Sequence, residues 1–305
     1  KRILLDHIYG VDIDSQAVEV TKLSLLLKVL EGESQQTLVN QFRLFHERAL
    51  PDLAANIKCG NSLIGPDFYD NQQMTLLDDE ERYRINVFDW QTEFAEIMSA
   101  GGFDAVIGNP PYGALFTERE KAYLNSSYSA QTYQLDSYQL FLERAVRSLL
   151  CEAGFYGMIF PNPWLTNLVQ TAIRRMVTAE TRIVDIVHFR FAVFAKVTVD
   201  TQIVVLQKAD PTHWKASVSI LRSSMALGGT APRGDRKRIE HEQDEWREAD
   251  GAVINIFLSP AEKQLAKKCC AQGQPLEALC KINVGIKPYQ KGKGKPPQTR
   301  KTVQE

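Results

Sequence analysis

The chain alternates short apolar runs with longer segments whose apolar residues recur at helical spacing, and this alternation limits the possible folds. The apolar runs predict strands at residues 7–13, 56–60, 103–107, 154–160, 182–189 and 199–207. Helical spacing follows most of these runs. Strands that alternate with helices indicate an α/β fold with a doubly wound, mostly parallel sheet. Sheets of this kind bind their ligands outside the carboxyl ends of the strands.

Composition excludes several classes of protein but identifies no partner. Hydrophobic residues make up 44% of the chain and charged residues 24%, which is typical of a globular domain and not of disorder. The net charge is −1, yet seven basic residues lie between Lys281 and Lys301. The five cysteines form no C-x-x-C pair, which predicts free thiols and no metal site. Without a signal peptide or a membrane-spanning segment, we expect a cytoplasmic protein with no membrane partner.

Polar residues follow three of the predicted strands at the point where each strand ends. Asp12 ends the first strand, Asn61 follows the second, and Asn109 follows the strand at 103–107. Because the carboxyl ends of parallel strands meet at one edge of a sheet, we expect these residues to converge. The charged stretch at 232–250 suggests no function and is predicted to be a solvated loop or helix, and residues 252–257 are predicted to form a strand.

The motif FDAVIGNPPY at Phe103–Tyr112 carries the strongest chemical signal. An exocyclic amine conjugated to a ring is a poor nucleophile because its lone pair is delocalised. Two acceptors, the Asn109 carboxamide oxygen and the Pro110 carbonyl oxygen, can receive both N–H bonds and expose the lone pair. Adjacent Pro110 and Pro111 would hold the loop rigid, and Tyr112 offers a flat face for a base.

This motif and the segments YGVDID, NIKCGNSLI and PNPW together resemble the gamma-type DNA adenine-N6 methyltransferases of bacterial restriction–modification systems. The resemblance covers residues 8–208 and is closest to large proteins that join methyltransferase and specificity region, sometimes with a nuclease, in one polypeptide. It implies S-adenosylmethionine as cofactor, double-stranded DNA with one adenine flipped out as substrate, and no metal.

The resemblance also implies residue roles. Asp12 would bind the cofactor ribose, Ile13 would flank the cofactor adenine, and Asn61 would recognise the adenine amino group. Tyr112 and Phe194 would stack on opposite faces of the extruded base. Asn109, Pro110, Pro111 and Tyr112 would form the catalytic loop.

Residues 1–210 are predicted to form the methyltransferase core, residues 211–274 a connecting region, and residues 275–305 the start of a target-recognition domain. One departure from the family pattern precedes YGVDID. The family's glycine-rich cofactor loop and its strand have no counterpart between Lys1 and Ile8. We therefore expect a chain cut at both ends that lacks the first strand of the sheet and binds the cofactor weakly.

Other readings stay open at this point. Enzymes that methylate protein glutamine or ribosomal RNA also use Asn-Pro-Pro-Tyr, although the long separation of Asp12 and Asn109 and the basic run favour DNA. A cytosine-N4 enzyme more often has serine in place of Asn109. A non-catalytic DNA-binding remnant is the alternative from a different class.

Overall fold

The computed structural model describes residues 2–31, 52–70, 79–132, 135–193, 200–222, 236–274 and 276–281. The chain divides into two compact units, Lys1–Ile256 and Phe257–Glu305. The first unit contains every described strand, and strands alternate with helices through most of it, so the α/β prediction is confirmed.

The first six strands of this unit lie close to their predicted positions, within about four residues at each end, and two further strands follow them. They are β1 Gly10–Asp12, β2 Ile57–Cys59, β3 Phe103–Gly108, β4 Leu150–Pro161, β5 Arg182–Phe189, β6 Thr201–Gln207, β7 Lys215–Leu221 and β8 Arg236–Glu242. The α-helices are α1 Arg2–His7, α2 Ser15–Leu30, α3 Asp79–Ile85, α4 Trp90–Glu93, α5 Ala95–Ser99, α6 Glu118–Ser127, α7 Ser137–Arg144, α8 Thr171–Glu180 and α9 Gln243–Glu248. The second unit contains α10 Pro260–Gln272 and α11 Leu276–Leu279.

A small parallel sheet joins β1 and β2, with Asp12 opposite Cys59. Helix α2 follows β1, and its N-cap is Asp14, whose carboxylate accepts a hydrogen bond from the Gln16 N–H at 2.8 Å. Aspartate suits this position because its carboxylate accepts the free N–H groups of the first helical turn.

The large sheet has the strand order β3-β4-β6-β5-β7-β8. Strands β3 and β4 are parallel, as are β5 and β7, whereas β6 and β8 run antiparallel to their neighbours. Among the described strands of this sheet, four therefore share one direction and the sheet is mixed. We call the end at which β3, β4, β5 and β7 finish the carboxyl end of the sheet.

The main hydrophobic core lies on one face of this sheet. Large side chains from its central strands, including Tyr156, Phe160, Ile186 and Val204, are almost fully buried. Residues of α7 and α8 belong to the same cluster, so these helices cover that face. Burial of this apolar surface is what holds β4, β5 and β6 in a fixed register.

Strand β3 departs from the expectation of a buried strand. Its side chains are half-buried or exposed, and Ile107 is 83% exposed. Within the described residues β3 pairs with β4 alone, so one of its edges has no strand beside it. An apolar run predicts that a strand will be buried, but burial itself depends on which segments pack on both of its sides.

Two predictions for the region after β7 differ from the structure. The charged stretch was predicted to be a solvated loop or helix, and its described part forms the strand β8 at the sheet edge, where the prediction is wrong, and then the helix α9. Gln243 is fully buried and its side-chain oxygen accepts the Ile183 N–H at 2.7 Å. The strand predicted at 252–257 is absent from these described residues, although Ile254 and Ile256 are fully buried.

Among the described helices, none has both the length and the apolar character required to cross a membrane.

Gly101 and Gly102 turn the chain into β3, with φ angles of +108° and +116°. A Cβ atom at Gly102 would overlap the Leu149 carbonyl oxygen, whereas one at Gly101 would meet nothing within 4 Å. We expect Gly101→Ala to lower the free energy of unfolding by about 1–2 kcal/mol through backbone strain alone. Gly102→Ala should cost about 1–3 kcal/mol more because of the added overlap.

Urea unfolding of the two variants measures this difference. Because both positions have a positive φ, Gly101→Ala is the matched control. If both variants lose the same free energy of unfolding, the close approach of Gly102 to the backbone at Leu149 is contradicted.

Candidate active site

The Asn109–Tyr112 loop begins where β3 ends, at the carboxyl end of the sheet. Asn109 and Pro111 are exposed, whereas Pro110 between them is buried. The pyrrolidine rings restrict the backbone at two successive positions, so the loop has little freedom to move Asn109. The structure thus presents an amide side chain on a stiff loop at the sheet end where the sequence predicted it.

Tyr112 ties this loop to the neighbouring strand β4. Its hydroxyl donates to the Ile159 carbonyl oxygen at 2.8 Å and lies 3.3 Å from Asn109 Oδ1. The half-buried ring packs against the main core. Burial raises the pKa of Tyr112, so the phenol stays neutral and keeps its donor proton.

Asn109 Oδ1 remains available as an acceptor despite this contact. A carboxamide oxygen has two lone pairs, and the tyrosine hydroxyl has one proton, which the shorter distance assigns to Ile159. The tyrosine hydroxyl therefore lies beside Asn109 Oδ1 without consuming its acceptor capacity.

Two residues at the start of α7 support the loop, and no local pattern predicted this role. The Ser137 hydroxyl donates to the Pro111 carbonyl oxygen. The Asp136 carboxylate accepts a hydrogen bond from the Gly113 N–H. Asp136 and Ser137 look like an ordinary helix start, and only the tertiary fold brings them to a loop more than 20 residues earlier in the chain.

The carbonyl groups of Pro110 and Pro111 differ in their hydrogen-bond partners. Ser137 occupies the Pro111 carbonyl, and no donor from the described residues reaches the Pro110 carbonyl. The loop thus combines one carbonyl that accepts a structural hydrogen bond with one that has no donor among the described residues.

In addition to the Asn109–Tyr112 loop, a second set of polar residues, Asp12 and Asn61, lies where β1 and β2 end. The Gly60 N–H donates to the Asp12 carbonyl oxygen at 2.9 Å, which brings Asn61 next to the end of β1. Asp12 is exposed, and its Oδ1 accepts the Asp14 N–H at 2.8 Å. Asn61 Oδ1 accepts the Leu63 N–H at 3.1 Å, and Ile13 is 52% exposed.

An aromatic cluster connects the strands that carry the two sets of polar residues, the Asn109–Tyr112 loop on one side and Asp12 with Asn61 on the other. Tyr9 precedes β1, and its ring centroid lies 6.0 Å from that of Phe103, the first residue of β3. Phe94 contacts both rings, at 5.6 Å and 5.7 Å. Within the described residues no hydrogen bond links the Asn109–Tyr112 loop to Asp12 or Asn61. Phe194, predicted to stack on a base, lies outside the described residues.

Arg174 fixes the loop that follows β4, which is another role that no local pattern predicted. Its side chain is fully buried and donates to the carbonyl oxygens of Trp164, Asn167 and Gly251 at 2.6–2.9 Å. Burial lowers the pKa of this guanidinium. A buried cation is tolerated here because several carbonyl dipoles replace its hydration.

Metal chemistry receives no support from the described side chains. In that part of the chain, no group of three or more His, Cys, Asp or Glu residues could hold a metal ion.

Comparison with known proteins gives one family match. The model of the family described as "Eco57I restriction-modification methylase" matches residues 6–194, more than half of the chain. This match includes the ends of β1, β2 and β3 and therefore both polar groups.

Individual relatives agree with this match. The type II restriction enzyme and methyltransferase RM.Eco57I of Escherichia coli is 31% identical over 214 residues, which is 68% of this chain and 19% of the relative. The adenine-specific methyltransferase PglX of Streptomyces coelicolor is 28% identical over 170 residues, 52% of this chain and 13% of the relative. The chain thus spans about a fifth or less of these relatives.

Among solved structures, the type IIG restriction endonuclease BpuSI is similar, with 20% sequence identity and a TM-score of 0.40. The similarity covers 51% of this chain and 21% of that protein.

The support from Asp136 predicts a pH-dependent effect of one substitution. Burial raises the pKa of Asp136 above 3.8, so its stabilising contribution is full below that pH and is lost as the pH rises through the folded-state value. Asp136→Asn keeps an acceptor for Gly113 but cannot ionise. The stability of the Asn variant relative to wild type should therefore increase between about pH 3.8 and about pH 7.

Urea unfolding at several pH values checks this prediction. Asp136→Ala is the control that also removes the acceptor, and it should be less stable than the Asn variant at every pH. A difference between Asp136→Asn and wild type that does not change with pH would show that Asp136 is not desolvated.

Proposed function

The chain belongs to the Eco57I restriction-modification methylase family, and from this premise we propose that it methylates DNA at the N6 position of adenine with S-adenosylmethionine as methyl donor. The observation that carries the proposal is the Asn109–Tyr112 loop, held by β4 and α7 at the carboxyl end of the sheet.

Asn109 and Pro110 activate the amine in this proposal. The Asn109 carboxamide oxygen and the Pro110 carbonyl accept one N–H bond each from the adenine amino group. The amine then moves toward tetrahedral geometry, and its lone pair is exposed for attack. Both acceptors are neutral and fixed before the substrate arrives, so little reorganisation is needed at the moment of reaction.

Tyr112 provides the surface on which the base lies. An adenine paired in a duplex cannot present its amine to the loop, so the base must leave the stack, at a cost of a few kcal/mol. Stacking on one aromatic ring contributes about 1–3 kcal/mol and offsets much of that cost. The hydrogen bond to Ile159 keeps the ring in one orientation, and Phe194 is the proposed partner on the other face of the base.

Asp12, Ile13 and Asn61 are the proposed cofactor-binding residues. The Asp14 N–H engages one carboxylate oxygen of Asp12, and the other has no donor among the described residues, so it can accept from ribose hydroxyls. The exposed Ile13 side chain offers an apolar surface to an adenine ring. When bound, S-adenosylmethionine supplies an electrophilic methyl group.

The names of the relatives support the choice of DNA and of adenine. One relative is a combined restriction enzyme and methyltransferase, and another is described as adenine-specific. We propose that specificity and nuclease regions accompany this chain in the same polypeptide, since it spans only 19% of the Escherichia coli relative.

A labelling experiment tests the reaction and Asn109 together. The full encoded protein is incubated with radiolabelled S-adenosylmethionine and mixed bacterial DNA, and the product nucleosides are separated. We expect label in N6-methyladenine. Asn109→Ala should abolish it and leave cofactor binding largely intact, because Asn109 is assigned to the amine and not to the cofactor.

Asn125→Ala is the matched control, since Asn125 is also exposed but lies on α6. Label in N4-methylcytosine would overturn the choice of base. Label in protein or RNA, with none in DNA, would establish the alternative substrates, and DNA binding without any transfer would establish the non-catalytic remnant.

Substitutions at Tyr112 separate its hydroxyl from its ring. Tyr112→Phe removes the hydrogen bond to Ile159 but keeps the stacking face, so kcat/KM should fall by about fivefold, as expected for the loss of about 1 kcal/mol. Tyr112→Ala also loses the stacking, and kcat/KM should fall by about a further fivefold to hundredfold. Equal rates for the two variants would argue against the stacking role.

A further inference from the structure

The carboxyl end of the sheet carries cationic side chains that the proposed chemistry does not use. Strand β5 is followed directly by Arg190, strand β7 is followed directly by Arg222, and strand β8 begins at Arg236. All three residues are exposed. We call these three residues the arginine cluster.

Strand pairing places the cluster at the same end of the sheet as Asn109. Strands β3 and β4 are parallel, and β6 runs antiparallel to both β4 and β5, so β5 ends where β3 ends. Strand β7 is parallel to β5, and β8 is antiparallel to β7 with Leu221 opposite Arg236. The Arg190 N–H donates to the Leu221 carbonyl oxygen at 2.8 Å, which joins the first two members of the cluster through the backbone.

The spacing of strands gives the distance between the cluster and the catalytic loop. Neighbouring strands lie about 4.8 Å apart, so β5, β7 and β8 lie about 14, 19 and 24 Å from β3 along the sheet. A base held in the loop would therefore not touch the cluster, which would face the sugar–phosphate backbone of the flanking duplex.

Acidic residues also lie near the cluster. Asp200 precedes β6 at the same end, and the half-buried Asp185 lies further down β5. On β8 the guanidinium of Arg236 donates to the Ser219 hydroxyl at 3.3 Å, and the positive charges of Arg236 and Arg238 act on the Asp185 carboxylate, whose pKa burial nevertheless raises. The acidic residue Glu242 lies at the opposite end of β8, 3.3 Å from Lys215.

We propose that the arginine cluster binds the phosphate backbone of duplex DNA next to the extruded base. This inference rests on the proposed function and adds the surface that holds the substrate. The net charge of the chain is −1, so the attraction for a polyanion must come from a local group such as this one. Arginine suits the role because its planar guanidinium can make two hydrogen bonds to one phosphate.

Salt-dependent binding tests the proposal. The triple variant Arg190→Gln, Arg222→Gln, Arg236→Gln is compared with the control triple Lys28→Gln, Lys121→Gln, Lys215→Gln in the full encoded protein. Both triples remove three positive charges from exposed side chains, so they alter the net charge equally. Matching urea midpoints verify that both variants are folded.

The arginine triple should reduce the slope of log affinity for duplex DNA against log salt by about 2.7, because each phosphate contact contributes about 0.9. The control triple should keep the wild-type slope. In methyl transfer the arginine triple should raise the KM for DNA and keep kcat at saturating DNA, since the cluster touches no reacting atom.

The outcomes separate this inference from the proposed function. If wild type methylates DNA but the two triples have equal slopes, the cluster is not the phosphate-binding surface and the function stands. If wild type neither binds nor methylates DNA, both proposals fall. If the arginine triple weakens binding of duplex RNA and not of DNA, the cluster belongs to another polyanion and the proposal is overturned.

Discussion

The parallel pairing of β3 with β4 is the constraint on which the candidate site depends. Gly108 ends β3 opposite Met158, so the loop that follows lies beside Ile159, the next residue of β4. The Tyr112 hydroxyl bonds to the Ile159 carbonyl oxygen, and this contact orients the tyrosine ring beside Asn109. Since β4 is held by the buried core of the sheet, the loop takes its rigidity from the whole domain.

The surrounding residues extend that rigidity. Asp136 and Ser137, at the start of α7, form hydrogen bonds with the backbone of the loop. Arg174 fixes the segment after β4 by donating to its backbone carbonyls. The site is thus built from neutral acceptors, while the positive charge of Arg190 and Arg222 lies several strands away. The neutral acceptors suit an uncharged amine, and the positive charges several strands away suit a polyanion.

Much of this arrangement could be predicted, and the failures share a cause. The limits of β5 were predicted at both ends, and Asn109 follows β3 as expected, because apolar runs and turn residues are local signals. The expected burial of β3, the strand at 252–257 and the loop or helix at 236–242 were wrong, because burial and strand pairing depend on distant neighbours. Charges in β8 gave no sign that this segment would pair with β7.

The sequence by itself determined the α/β order of the chain, the family to which it belongs and the loop Asn109–Tyr112, because each of these is written in contiguous residues. Only the tertiary structure decided that Asp136 and Ser137 support that loop and that three arginines share the sheet end with Asn109. Such contacts arise from strand order and helix packing, which join residues far apart in the chain and leave no periodic trace in the sequence.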